Sequence, residues 1–318
     1  MSRAYVVYNP AAGRFPSGVL VERAAKVLRE SGWDLKLVEA QSGPHITQLA
    51  RQAGEEGQDA FFVIGGDGSM NLAVAGLMGS ETALGVLPAG TANVWAQELG
   101  LTRLNIMRNI SIEECARRLT TAQSYPVDVG RCNDRPFLLW AGVGLDAYIV
   151  HRIEPREPWE KQFAVLQYSL SALWNAGFWK GMDLRVELDG QQISGRFLLA
   201  VVSNIHLYAG GITEISPSAR LDDGKMDLWL FRGETFGDTL QMALELWARR
   251  HAESNKVIYV PCRQLVLESD TPLYVQVDGE PAEEAQRVSI EICPKSLRVL
   301  IPSQAPFPLI AENPAEQS

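Results

Sequence analysis

The sequence predicts an α/β protein with an N-terminal doubly wound parallel-sheet domain and a C-terminal, mainly antiparallel β-sandwich domain. Three observations predict it. From residue 1 to about 125, short apolar strands alternate with amphipathic helices, a βα rhythm that implies a parallel sheet with helices on both faces. After about residue 125, strand-like runs recur with only two helical stretches between them, the texture of an antiparallel sheet or sandwich. At 318 residues the chain exceeds one ordinary core, so two domains are the default. The expected division is 1–126 and 127–296, with a segment at about 297–310 packing back on the first domain and a loose tail at 311–318.

Each element follows in order. Tyr5-Val6-Val7-Tyr8 reads as the first strand and leads into Asn9-Pro10-Ala11-Ala12-Gly13. Leu20, Ala24, Val27 and Leu28 fall at helical spacing, and Gly32 sits where a helix stops. Residues 33–38 make the next strand, and Ile46, Leu49, Ala50 and Ala53 line the next helix. Phe61-Phe62-Val63-Ile64 forms a short buried strand that empties into Gly65-Gly66-Asp67-Gly68-Ser69-Met70, and Asn71-Leu72-Ala73-Val74-Ala75 then starts a helix. Leu84-Gly85-Val86-Leu87 is another strand, followed by Pro88-Ala89-Gly90-Thr91-Ala92-Asn93. In the second half, strands are expected at 137–140, 184–188, 197–202, 226–230, 265–267, 274–277 and 288–292, with helices near 159–176 and 235–250.

The glycine turn after Ile64 carries the first chemical signal. Between a strand and a helix, such a turn lets backbone N–H groups point at a phosphate, where the helix dipole also favours negative charge. It lacks the lysine of a Walker loop and does not spell the dinucleotide fingerprint. It points to a nucleotide site of another kind, with Asp67 available to a metal ion or a hydroxyl; the plainer reading is a tight turn. Three successive strand ends carry small or polar loop residues, and in an open parallel sheet those ends gather on one edge, where ligands bind.

Composition narrows the partners. Hydrophobic content of 46% and charged content of 21% are globular values. The net charge of −9, with no offsetting cluster of Lys and Arg, argues against nucleic acid. Cys115, Cys132, Cys262 and Cys293 are scattered and read as reduced structural thiols. The chain opens on a strand rather than a signal peptide, and Asp146 and His206 interrupt the longest apolar runs. The expectation is a cytoplasmic protein without a transmembrane segment; a homodimer is left open.

Asn-Pro-x-x-Gly at 9–13, Gly-Gly-Asp-Gly-Ser at 65–69 and Pro-x-Gly-Thr-x-Asn at 88–93, in this order, resemble the diacylglycerol kinase catalytic domain. The resemblance is to its branch of soluble bacterial lipid kinases related to sphingosine kinases. It continues through Val127-Asp128-Val129-Gly130, Ala141-Gly142-Val143-Gly144-Leu145-Asp146-Ala147, Ala209-Gly210-Gly211, the run from Ser216 to Asp227, and Val277-Asp278-Gly279-Glu280. These pieces, in register, carry the resemblance from about Tyr5 to Pro302.

The resemblance implies an ATP-dependent lipid kinase. Phosphoryl transfer needs a positioned triphosphate, charge neutralisation by Mg²⁺ and a carboxylate near the attacking hydroxyl. By carry-over, Gly65, Gly66, Asp67, Gly68, Ser69, Met70, Asn71 and Leu72 hold ATP phosphates. Asn9, Pro10, Gly13, Gln41 and Thr91 complete the nucleotide loops, and Thr91 could instead cap a helix. Glu280 is the implied general base, with Asp278 and Asp67 in support. Asp278 and Glu280 would point the same way if the backbone is extended; otherwise Asp278-Gly279 is an ordinary turn pair. A structural Mg²⁺ falls on Asp223 and the carbonyls of Arg220 and Lys225, oxygen donors that suit a hard cation.

The chain departs from the family at Asn93-Val94, where the family often has Asn-Asp, and at Gln41-Ser42-Gly43-Pro44, where it often has Thr. The implied substrate is a lipid met transiently at the inner membrane surface. Trp174, Phe178 and Trp179 with Lys180 have a composition suited to that interface, or to a second-domain core. Two alternatives are weighed: an NAD-kinase-type enzyme, which also uses a Gly-Gly-Asp-Gly loop, and a non-catalytic nucleotide- or lipid-binding regulator.

Overall fold

The computed structural model describes residues 2–10, 18–102, 110–153 and 179–311. Gly13, the helix expected near 159–176, Trp174, Phe178 and residues 312–318 lie outside the described residues. The chain divides into two compact units, the first being Met1–Val129, Arg220–Asp223 and Pro294–Ser318, the second Gly130–Ala219 and Gly224–Cys293.

In the first unit, β1 (Ser2–Tyr8), β2 (Trp33–Glu39), β3 (Ala60–Gly65) and β4 (Ala83–Pro88) are all parallel, in the order β2-β1-β3-β4. The last residues of β15 (Glu280–Ile301) add a fifth parallel strand beside β4, with Arg298 opposite Ala83. β3 is buried at every position, as a strand with both faces covered must be. Helix α1 (Gly18–Glu30) packs with α5 (Ile112–Thr120), and α2 (Gly43–Glu55) packs with α3 (Asp67–Leu77). The inner face of α2 is Ile46, Leu49, Ala50 and Ala53, as its spacing predicts. That of α1 is Val21, Ala24, Ala25 and Leu28, so the expected Leu20 and Val27 are only half-buried.

Register places the functional edge. Tyr8 lies opposite Ile64 and Glu39, and Gly65 lies opposite Pro88. Strand ends this closely aligned deliver residues 9, 40, 66 and 89 to one edge of the sheet.

The second unit pairs its strands antiparallel throughout: β6 (Arg135–Phe137), β7 (Trp140–Gly144), β8 (Met182–Leu188), β9 (Gln191–Ser203), β12 (Met226–Arg232), β13 (Val257–Cys262), β14 (Gln264–Val277) and the first part of β15. Strand β5 (Gln123–Cys132) runs from the first unit into the second, and β10 (Leu207–Tyr208) and β11 (Thr213–Glu214) form a separate pair. β9 and β14 each pair with β8 along one part and with β7 along another. In β14 the register breaks between Glu268 and Leu273, between those two partners. Such irregularities bend a strand and strengthen its twist. β8 shows the cleanest alternation, with Met182, Leu184, Val186 and Leu188 all turned into the core. Among the described residues two α-helices accompany the strands, α6 (Leu145–Ile153) and α7 (Phe236–Trp247). Trp179 is half-buried, packs against this core and donates its indole N–H to Leu198 O at 2.9 Å, so it borders the core.

All four cysteines are free, and burial pushes the Cys115, Cys132 and Cys262 thiols up to about 12. Thiols this far from ionising are inert packing groups.

Candidate active site

The glycine turn is tighter than its sequence suggests. Helix α3 begins at Asp67, not at Asn71, with Gly66 as the residue before it. The amide of Met70 already bonds Gly66 O at 3.1 Å, so Asp67, Gly68 and Ser69 form the first helical turn. Their N–H groups are among those that a helix cannot satisfy internally. The Asn71 side-chain oxygen nearby is buried with no hydrogen-bond partner, an acceptor suited to a ligand hydroxyl or a bound water.

This turn is locked to the next one. A Cβ on Gly90 would stand 2.5 Å from Gly66 Cα and 2.8 Å from Asn93 Oδ1. Only glycine permits that approach. Ala89 N–H bonds Gly65 O at 2.9 Å, and Asn93 closes its own loop by accepting from Gly90 N and donating to Gly90 O, both at 2.8 Å.

Asp67 completes the lock. Its carboxylate accepts from Val94 N–H at 3.0 Å and Trp95 N–H at 3.1 Å, at the start of α4 (Val94–Glu98). Burial pushes this carboxyl up, and the two N–H groups pull it part of the way back. Thr91 is exposed and stands before Asn93, the residue that precedes α4, so it is not the helix cap. Gln41 is exposed, and its backbone N–H bonds His45 Nδ1, while Ser42 caps α2. Thr47 of α2 bonds Leu72 O at 2.8 Å, which ties the Gln41 segment to α3. Asn9 is half-buried and Pro10 exposed at the end of β1.

The second unit presents a different turn. Asp278 and Gly279 have φ of 52° and 81° and join β14 to β15, with Val277 paired to Glu280. Two successive left-handed residues between paired strands make a type I′ hairpin, which Asp-Gly favours. The backbone is therefore not extended here, and the two carboxylates part. Asp278 is buried and accepts from the N–H groups of Leu138, Leu139 and Trp140 at 3.0–3.1 Å, while its own N–H bonds Trp140 O. Glu280 is exposed at the first position of β15.

Sequence reasoning assigned no role to the support of this turn. Gln276, buried beneath it, accepts from Gly279 N–H at 2.8 Å and donates to Asp146 Oδ2 at 2.9 Å. Asp146 also accepts from the Tyr208 hydroxyl at 3.0 Å and from Ala147 N–H at 2.6 Å. Burial pushes its carboxyl up to about 6 and holds Tyr208 well above the usual phenol range. The one sequence signal was Asp146 following Gly-Val-Gly-Leu at a strand-to-helix junction.

The description "Diacylglycerol kinase catalytic domain" matches residues 3–132, and "YegS C-terminal NAD kinase beta sandwich-like domain" matches residues 141–301. A Chromohalobacter salexigens protein named "Probable lipid kinase YegS-like" is 30% identical over 285 residues, covering 87% of this chain and 86% of that protein. The chain belongs to the diacylglycerol kinase family of lipid kinases. The diacylglycerol kinase of Bacillus subtilis is 24% identical over 285 residues, 88% of this lipid kinase and 90% of the relative. Two solved structures from Bacillus anthracis str. Sterne, one described as a diacylglycerol kinase, share the fold with TM-scores of 0.70 and 0.77. Each covers 96% of this chain and 98% of its own, at 20% and 21% identity.

The residues expected at the structural cation fit one in kind. Asp223 and Lys225 are exposed and flank Gly224, while the neighbouring Asp222 carboxylate is engaged by Ala311 N–H at 2.7 Å. One carboxylate with backbone carbonyls suits a hard cation that keeps water ligands. Among the described residues no three His, Cys, Asp or Glu side chains gather as a metal cage.

Proposed function

We propose that this lipid kinase transfers the γ-phosphoryl group of MgATP to a hydroxyl of a lipid such as diacylglycerol, a related glycerolipid or a sphingoid base. The observation that carries the reading is the aligned edge of the first unit, where the Gly66 and Gly90 turns meet backbone to backbone. Turns of this kind expose N–H groups and no side-chain bulk to a phosphate. Residues 65–72, with Asn9, Pro10, Gly13, Gln41 and Thr91, hold the nucleotide. Asp67 acts by fixing α4 against α3.

In the second unit Glu280 is the general base. Its carboxylate takes the proton of the lipid hydroxyl; the oxygen bonds the γ-phosphorus; the bond from that phosphorus to the β-phosphate oxygen breaks, and ADP leaves. Asp278, held by three N–H groups, gives the turn that carries Glu280 its shape. Mg²⁺ supplies charge neutralisation for the triphosphate, and a structural Mg²⁺ is assigned to Asp223 with the carbonyls of Arg220 and Lys225. The enzyme is read as a cytoplasmic protein that visits the inner membrane surface.

Incubation with γ-labelled ATP and a total lipid extract tests the reading. A labelled phospholipid is expected, and its identity names the acceptor. A parallel reaction with NAD in place of the lipid tests the alternative: label in a pyridine nucleotide there, with none in lipid, would favour an NAD-kinase-type reaction, the reading that the description of residues 141–301 keeps in view.

A further inference from the structure

Helix α7 carries an apolar face that the second unit does not cover. Its inner side is short: Thr239, Met242 and Leu246 are buried, and Lys256 Nζ bonds Asp238 at 2.6 Å and Gln241 at 2.9 Å. Thr235 and Asp238 cap its start reciprocally, so the helix is well anchored. The outer side bears Phe236 at 46% exposure, Leu240 at 41%, Leu244 at 56% and Trp247 at 75%. At 100° per residue these four fall within one narrow stripe, with the exposed Ala243 among them and no charged residue. Ile212, 45% exposed, precedes Thr213, whose hydroxyl bonds Leu246 O at 2.5 Å, so apolar surface continues at the helix end. Arg249 and Arg250 lie two and three residues beyond Trp247 and are exposed, in surface ion pairs with Glu214 at 2.6 Å and Glu253 at 3.1 Å.

We infer that this face of α7 docks the enzyme on a bilayer containing anionic phospholipid, an assignment that rests on the lipid-kinase reading. A helix with Phe, Leu and Trp on one side lies in the plane of a bilayer with those side chains at the acyl boundary. Tryptophan near arginine is the composition of the headgroup zone, and the exposed ion pairs of Arg249 and Arg250 are weak enough in water for each guanidinium group to exchange its carboxylate for a lipid phosphate. A second copy of this chain is a poorer occupant. A stripe about 18 Å long offers on the order of a few hundred Å², well under the roughly 800 Å² per partner of a stable interface.

The test uses the full chain and vesicles of phosphatidylethanolamine and phosphatidylglycerol. Wild type should co-sediment with them, and the double variant Leu244→Gln/Trp247→Gln should partition at least about tenfold less, with its melting temperature unchanged. Both should phosphorylate a short-chain, monomerically dispersed diacylglycerol equally. Undiminished sedimentation of the variant, or none by wild type, overturns the docking surface. So does a wild-type dimer that the variant converts to monomer while vesicle binding stays the same, because a second copy would then cover the face. If neither protein phosphorylates the short-chain lipid but the vesicle difference holds, the docking surface stands and the substrate reading falls.

Discussion

Two aspartates in glycine turns, one in each unit, have taken the same physical role by opposite backbone routes. Asp67 opens a right-handed helix and reaches across to two N–H groups at the start of α4. Asp278 sits in a left-handed hairpin and gathers three N–H groups from 138–140. In both, a carboxylate accepts from successive backbone N–H groups of another segment, at Asp67 those that the start of a helix leaves without an internal acceptor. The lesson concerns how acidic motif residues are read. A carboxylate whose oxygens are occupied by buried N–H donors shapes a loop, whereas the proposed base, Glu280, is exposed beside Asp278.

That division is most directly broken at Glu280. Glu280→Gln keeps the size of the side chain but removes its basic oxygen. Loss of a general base typically costs about 10²–10⁴ in rate. Steady-state kinetics should show the loss in kcat, with the KM for ATP and the melting temperature unchanged. A variant with wild-type kcat would show that the exposed carboxylate is idle and would send the search for a base to the buried ones.

Asp278→Ala should act mainly on stability. It strands three buried N–H groups, each costing about 1–3 kcal/mol when unsatisfied, and a loss of about 3 kcal/mol or more is expected in urea unfolding. Asp278→Asn tolerates positive φ and keeps one acceptor oxygen, so it should lose less. Equal losses for the two would mean that the charge, rather than the geometry, organises the turn.

Asp67→Ala sharpens the other side. Two N–H groups at a short helix lose their acceptor in a partly exposed place, so about 1–2 kcal/mol of stability is expected. Because the Gly66 and Gly90 turns would no longer be fixed, ATP affinity should weaken as well. Equilibrium unfolding and nucleotide titration separate the two effects. A variant with full stability and no turnover would place Asp67 at the reacting atoms after all.

Much of this was legible in sequence, and the failures have local causes. The parallel first unit follows from apolar runs and glycine stops, and the inner face of α2 is correct residue for residue. The phase of α1 slipped because Val19, Leu20 and Val21 are apolar in succession, and Val19 is exposed. The strand expected at 137–140 divides into β6 and β7 because the N–H groups of Leu138 to Trp140 turn toward Asp278, 138 to 140 residues away. No local pattern encodes such a partner. β14 and β15 run far past the expected 265–267, 274–277 and 288–292 because alternating polar residues conceal their length. In the site, glycine spacing located both turns. It could not show that Gln276 and Asp146 support one of them, because hydrogen bonds between distant polar side chains leave no periodic trace. Of the expected aromatic cluster, Trp179 borders the core, while the exposed stripe on α7 was present in sequence as Phe236, Leu240, Leu244 and Trp247 at helical spacing.

The smallest expected effect is the pH dependence that Asp146 adds. Its folded-state carboxyl titrates at about 6, above the roughly 3.9 of an unfolded aspartate. Between those values the folded chain binds more protons than the unfolded one. Stability therefore falls as pH rises from about 4 to about 6 and is level above that range, as linkage requires. The full shift would correspond to about 3 kcal/mol, an upper bound; water reaching the half-buried Asp146 side chain keeps the contribution well below that figure. Asp146→Asn keeps an acceptor for Tyr208 and Gln276 and has no proton to lose, so it should flatten this part of the stability–pH curve. Chemical denaturation of wild type and variant at several pH values across the window measures it. An identical slope in the two would mean that Asp146 titrates normally and that the network under the Asp278-Gly279 turn is solvated, leaving the three N–H groups on Asp278 as the main support for the turn that carries Glu280.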